Sequence, residues 1–198
     1  MRVMLSLAAV GALLGLGQPV PAPIERGALR LHYVQKPIGY ERYEIAQDGD
    51  ALELTADFDF TDRGGRVQLA ATLRTKADFT PLSFQAKGKS YRFVSVDSDV
   101  RVEGGEAVVR ADGAPEHRVA LPAPFYTVDG YAPFSAQMLL LRYWKQHGQP
   151  RLLRTVPGQP TNDVVVEARG REVIRAGARV VQLERFAIDG VVWGRETL

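Results

Sequence analysis

The sequence predicts a mainly β protein, in which a curled antiparallel sheet, half-barrel or barrel-like, wraps around one α-helix. Three observations carry that expectation. From residue 27 onward, stretch after stretch alternates apolar and polar residues with a period of two. Such strands have one wet face and one apolar face. Clusters of Asp, Gly and Pro separate these stretches, with no helical segments between them to act as parallel crossovers. Only YAPFSAQMLLLRYWKQHG, residues 131–148, breaks the period with an apolar run of helical length.

The strands follow in order. Gly27 to Gln35 is the first, and Lys36-Pro37-Ile38-Gly39 turns it into Tyr40 to Gln47. Asp48-Gly49-Asp50 then leads into Ala51 to Thr61, the clearest alternation in the chain. There Leu52, Leu54, Ala56, Phe58 and Phe60 share one face, and Glu53, Thr55, Asp57 and Asp59 the other. Arg66 to Lys76 returns after Gly64-Gly65, with Val67, Leu69, Ala71 and Leu73 apolar. Leu82 to Lys87 comes next, and Gly88 turns it into Tyr91 to Glu103. Gly104-Gly105 opens a hairpin to Ala107 to Ala111.

The stretch from Pro122 to Pro133 is a loop rather than a linker, so residues 23–198 read as a single β-rich domain. After the helix, strands are expected at Arg151 to Val156, Asp163 to Arg169, Arg171 to Arg175, Ala178 to Ile188 and Val191 to Glu196. Gly158, Gly170, Gly177 and Gly190 mark their turns. The sequence stops at Arg195-Glu196-Thr197-Leu198, inside what reads as a strand. The expectation is a fragment of a longer chain, with a covalently linked downstream domain as a candidate partner.

Residues 1–22 have the build of a secretory signal. Arg2 supplies the positive end, and Val3 to Leu16 an apolar run too short and glycine-rich to suit a bilayer span. The protein is therefore expected to be exported, periplasmic or extracellular, with no transmembrane anchor after cleavage. Its 198 residues include no cysteine. A domain this long can be held by core burial alone, and thiol nucleophiles and cysteine zinc sites are ruled out. Formal net charge is +2, with basic residues spread singly along strands, so nucleic acid is not an expected partner.

Catalytic motifs are missing from the sequence. His32, His117 and His147 lie in separate segments without metal-ligand spacing, and no cofactor is implied. None of Ser83, Ser90, Ser95, Ser98 and Ser135 sits in a nucleophile motif. Ser135 reads instead as the N-cap of the helix. Asp57 with Asp59, and Asp97 with Asp99, are carboxylates two apart on strands, roughly 7 Å from each other. Both pairs lie on wet faces, where Arg66 and Arg74 are plausible cross-strand partners for the first, so they read as solvated strand positions.

The constellation with shape is aromatic. Phe125, Tyr126, Tyr131, Phe134, Met138, Leu141, Tyr143 and Trp144 gather around a helix expected over Ser135 to His147, with Gly148 as its C′ residue. A helix apolar around most of its circumference should be largely surrounded. Two readings stand for these eight residues: a plug that fills the core, or the wall of an apolar ligand pocket.

The order of features resembles a known family. Gly39-Tyr40-Glu41-Arg42-Tyr43-Glu44-Ile45 with Asp48-Gly49 opens the resemblance, and Pro81-Leu82-Ser83-Phe84 and the helical region Asp129 to Arg142 continue it. Arg171 to Gly177 and Val191 to Glu196 close it. The chain resembles uncharacterised β-rich periplasmic domains similar to lipoprotein carriers of the LolA type, in which a curled sheet wraps a helix. It is also similar to the region that precedes the catalytic domain in some secreted bacterial amidohydrolases. The first resemblance implies a non-catalytic binding or accessory domain for an apolar or acylated ligand, such as a hydrophobic small molecule or lipid. The second implies the N-terminal portion of a metal-dependent amidohydrolase whose catalytic domain lies elsewhere, since no H-x-H motif occurs here.

Overall fold

A computed structural model describes residues 23–62, 64–89, 95–128, 132–157, 162–191 and 195–197. Its first eight strands form an uninterrupted antiparallel meander. They are β1 (Pro23–Tyr33), β2 (Lys36–Asp48), β3 (Ala51–Asp62), β4 (Gly65–Lys76), β5 (Pro81–Lys89), β6 (Ser95–Glu103), β7 (Glu106–Ala111) and β8 (His117–Ala120). The sheet is open, with β1 and β8 at its edges.

A second sheet follows from β9 (Phe125–Tyr126), β10 (Leu153–Thr155), β11 (Asn162–Ala176), β12 (Arg179–Asp189) and β13 (Arg195–Thr197). Its order is β13-β12-β11-β10-β9, antiparallel except where β10 runs beside β9. Between β9 and β10 the chain forms α1 (Phe134–Gln146).

Three glycines expected at turns lie inside strands. The β1–β2 turn is made by Val34 and Gln35, at φ 46° and 64°, so Pro37 already pairs with His32 within β2. Gly39 faces Phe60, and a Cβ there would stand 2.1 Å from the carbonyl oxygen of Asp59. Gly88 sits within β5, where a Cβ would be 2.1 Å from the Gln68 carbonyl. At both places the residue is needed for close backbone approach rather than reversal. Gly170 likewise does not separate two strands. Register shifts from Ala168–Phe186 to Arg171–Glu184, a bulge carried by Gly170 at φ 87° in one long β11.

Two strands were not expected, β8 and β9. The second is only two residues long and owes its existence to its partner β10 rather than to local pattern. Tyr91 to Val94, at the expected start of β6, lie outside the described residues.

The alternation of the meander becomes a buried face. Ile45, Leu54, Leu73, Phe84, Val100 and Val109 point to one side and join a single core with Leu153, Val164, Phe186 and Ile188 of the second sheet. Ala136, Leu139 and Leu140 of the helix are fully buried in that core. Each buried leucine contributes on the order of 2 kcal/mol by leaving water. The helix is thus a shared filling between two sheets, each of which is wet on its other side.

Candidate functional site

The eight aromatic and apolar residues singled out around the helix divide by depth. Tyr126, Leu141, Tyr143 and Trp144 are buried in the core, whereas Phe125, Phe134 and Met138 are half-buried. Tyr131 lies outside the described residues. Tyr126 and Tyr143 pack ring to ring at 5.4 Å, and Trp144 meets Phe186 edge-on at 6.2 Å. Burial pushes the Tyr126 hydroxyl well above the ordinary tyrosine range, and that hydroxyl has no hydrogen-bond partner among the described residues. Burial raises Tyr143 as well.

The start of the helix departs from expectation. Its N-cap is Pro133, whose side chain cannot accept, and Ser135 lies inside the helix with its buried hydroxyl unpartnered among the described residues. The cap comes from 93 residues earlier in the chain. Glu41, fully buried on β2, accepts from the Phe134 N–H at 2.7 Å and from the Ser135 N–H at 2.9 Å. A carboxylate suits the positive end of a helix, and the two N–H groups would otherwise lack acceptors.

The other end follows the expected design. Gly148 takes φ 79°, and the Gln149 N–H reaches back to the Trp144 carbonyl at 2.9 Å, the outer bond of a Schellman motif. Midway along, Arg142 donates to both carboxylate oxygens of Glu25 on β1, at 3.0 and 2.8 Å. The Tyr43 hydroxyl donates to the same Glu25.

A notch beside the helix C-terminus joins apolar and charged groups. About 210 Å³ in volume, it is floored by Trp144 and Phe186, with Lys145, Arg171, Glu184 and Arg185 at its rim. Lys145 lies 4.7 Å from the centre of the Phe186 ring and donates to Glu184. That bond holds the Glu184 carboxyl below its usual range. Arg171 stands 3.9 Å from the same carboxylate, and Arg185 reaches Glu172 at 3.3 Å. Arg185 is therefore engaged by Glu172, while Lys145 and Arg171 flank Glu184 beside the aromatic floor of the notch. The Gly170 bulge sits in its wall, and a Cβ there would meet nothing within 4 Å.

Two larger recesses, of about 450 and 460 Å³, adjoin on the polar face of the meander, sharing Arg42 and Asp57. The Arg42 guanidinium stacks 4.6 Å from the Tyr40 ring centre. The carboxylates on this face are largely committed to ladder partners. Arg66 grips Asp59 with two donors and holds it below the usual carboxylate range. Arg110 does the same for Asp97, while Asp99 accepts from Gln85 at 2.6 Å. Arg74 goes to Asp48 and Glu53 rather than to the aspartate pair.

The histidines do not converge. His147 stacks on Tyr143 at 4.1 Å and contacts the Asp78 carbonyl, while His32 and His117 are exposed on the two edge strands. Among the described residues no group of three His, Asp or Glu is placed to hold a metal ion. Nor is any helix among them long and apolar enough to cross a membrane.

The sequence pointed to Trp144 but missed the rest of the notch. Phe186, Arg171 and Glu184 follow ordinary strand alternation, and nothing local says that they meet a helix earlier in the chain. Comparison with protein families, curated proteins and solved structures returned no match.

Proposed function

We propose that this chain is an exported, non-catalytic binding or accessory domain whose ligand pairs an apolar or acyl portion with an anionic group. The observation that carries this reading is the notch, where Lys145, Arg171 and Arg185 line the same recess as the Trp144 and Phe186 rings and Lys145 lies over Phe186. An aromatic floor favours an apolar chain or ring, and a cationic rim selects a carboxylate or phosphate rather than an ammonium. The apolar pocket thereby moves from the middle of the helix to its C-terminal end. Mid-helix, Leu139 and Leu140 already fill the space. Export rests on the leader-like residues 1–22. A half-barrel curl of the large sheet, as in carriers of the LolA type, is part of the same reading. It is supported by the helix contributing to one core with both sheets.

A dansylated fatty acid tests the proposal by its fluorescence on titration with the protein. Lys145→Glu and Arg171→Glu, both at exposed positions, are each expected to weaken binding about tenfold, the equivalent of about 1.4 kcal/mol. The matching fatty alcohol should bind poorly to wild type. Equal binding of acid and alcohol, or of wild type and both variants, would overturn the assignment.

A further inference from the structure

We infer that the distal half of the β11–β12 hairpin is a strand-accepting surface for a different polypeptide, an extended segment that alternates apolar and acidic residues. Beyond the Gly170 bulge, Arg171–Ala176 and Arg179–Glu184 form a ribbon of two strands only. On one side β10 pairs with β11 just at Asn162–Val164, and on the other β13 pairs with β12 just at Ala187–Asp189. Among the described residues both edges of the ribbon are therefore open. So are both faces: Val173 and Val180 are 64% and 66% exposed on one, and Ile174 and Leu183 are 38% and 44% exposed on the other. A two-stranded ribbon with apolar side chains in water is marginal alone, and an open edge is a template for a further strand. The edge of β12 already accepts β13, so an incoming strand would extend an existing ladder.

Charge identifies the occupant. From residue 167 to 185 the hairpin carries five arginines and three glutamates. The glutamates are engaged by Arg169, Arg185, Lys145 and Arg171. Arg175 and Arg179 flank the turn with no carboxylate partner among the described residues. A second copy of the hairpin would set arginine against arginine, a like-charge pairing that destabilises a ladder. An acidic strand added beside β12 would instead set its glutamates next to Arg179 on one face, within the positive field to which Arg175 also contributes, while its apolar residues cover Val173 and Val180 on the other.

Two fluorescein-labelled eight-residue peptides test this by anisotropy, one alternating valine with glutamate and the other valine with lysine. The glutamate peptide is expected to bind and to slow hydrogen exchange at the amides of residues 179–183. Slowing confined to Glu184 to Phe186 would mean that it sits in the notch, and would overturn the inference. Arg175→Glu/Arg179→Glu, at exposed positions beside the turn, should lower its affinity about tenfold and shift preference to the lysine peptide. Val180→Thr, at an exposed position, should weaken it with the charge unchanged. The inference is overturned if neither peptide binds, if the double variant binds the glutamate peptide as well as wild type, or if sedimentation shows that the ribbon pairs with a second copy instead. Lys145 and the fatty-acid titration play no part in this readout, so it fails or succeeds separately from the notch.

Discussion

At the scale of single residues, Glu41 does the most to determine how the two halves of the chain meet. A buried carboxylate is costly unless it is bonded, and both oxygens of Glu41 are taken by the first N–H groups of α1. Replacing it with alanine removes the cap and strands two buried donors, which should cost about 2–4 kcal/mol. Glutamine keeps one acceptor oxygen and should cost about half as much. Urea unfolding midpoints of Glu41→Ala and Glu41→Gln would check this. Equal losses would show that side-chain volume matters at this site rather than capping. The hydroxyls of Tyr126 and Ser135 present the opposite case, buried and unpartnered among the described residues.

At the scale of elements, the helix is asymmetric. Leu139 and Leu140 are sealed between the sheets, whereas Phe134, Met138 and Arg142, at four-residue spacing, form a half-buried stripe. Truncating a sealed leucine leaves a cavity that the packed layers on both sides cannot collapse. Leu139→Ala is therefore expected to lose about 2–5 kcal/mol. Met138→Ala gives up a side chain already half in water, and about 1 kcal/mol is expected. Chemical denaturation of the two variants side by side measures the difference. Similar losses would mean that the stripe is as tightly covered as the core. The β11–β12 hairpin is asymmetric too, its proximal half in the core and its distal half in water.

At the scale of the whole molecule, the titrating groups bracket a range of stability. Arg66 lowers Asp59, the Thr80 N–H lowers Asp78, Arg110 lowers Asp97 and Lys145 lowers Glu184. A carboxyl held below its ordinary value contributes stability that is full above that range and is lost as pH falls through the lowered value. Burial acts on Tyr43, Tyr126 and Tyr143 in the other direction. Their neutral forms support the fold below about pH 10, and that support is lost as pH rises through the raised values. Thermal unfolding midpoints should thus be flat around neutrality, falling below about pH 4 and above about pH 10. Asp59→Asn should blunt the acid limb, and Tyr126→Phe the alkaline one. An unchanged profile in both variants would remove these groups from the account.

Much of the fold was legible because it is local. Period-two alternation, Asp-Gly turns and one apolar run identify a mainly antiparallel protein with a single helix, and the run from Ala51 to Thr61 does so almost unaided. These signals lie within a few residues of one another, where strand geometry and solvent dictate them directly. What the local pattern could not show depends on residues far apart in the chain. It assigned the helix cap to Ser135 because the true acceptor, Glu41, lies 93 residues from the helix, on the core-facing side of β2 with Tyr43 and Ile45. It read Gly39 and Gly88 as turns because a glycine required by a neighbouring backbone looks like one that reverses the chain. The candidate site follows the same division. Trp144 stood out by type, but Phe186, Arg171 and Glu184 became its neighbours only when β12 crossed the end of the helix. Sequence by itself determined which residues leave water, since hydrophobicity is carried by each side chain. Tertiary structure alone decided which of them meet, since long-range pairing depends on the closure of the whole chain.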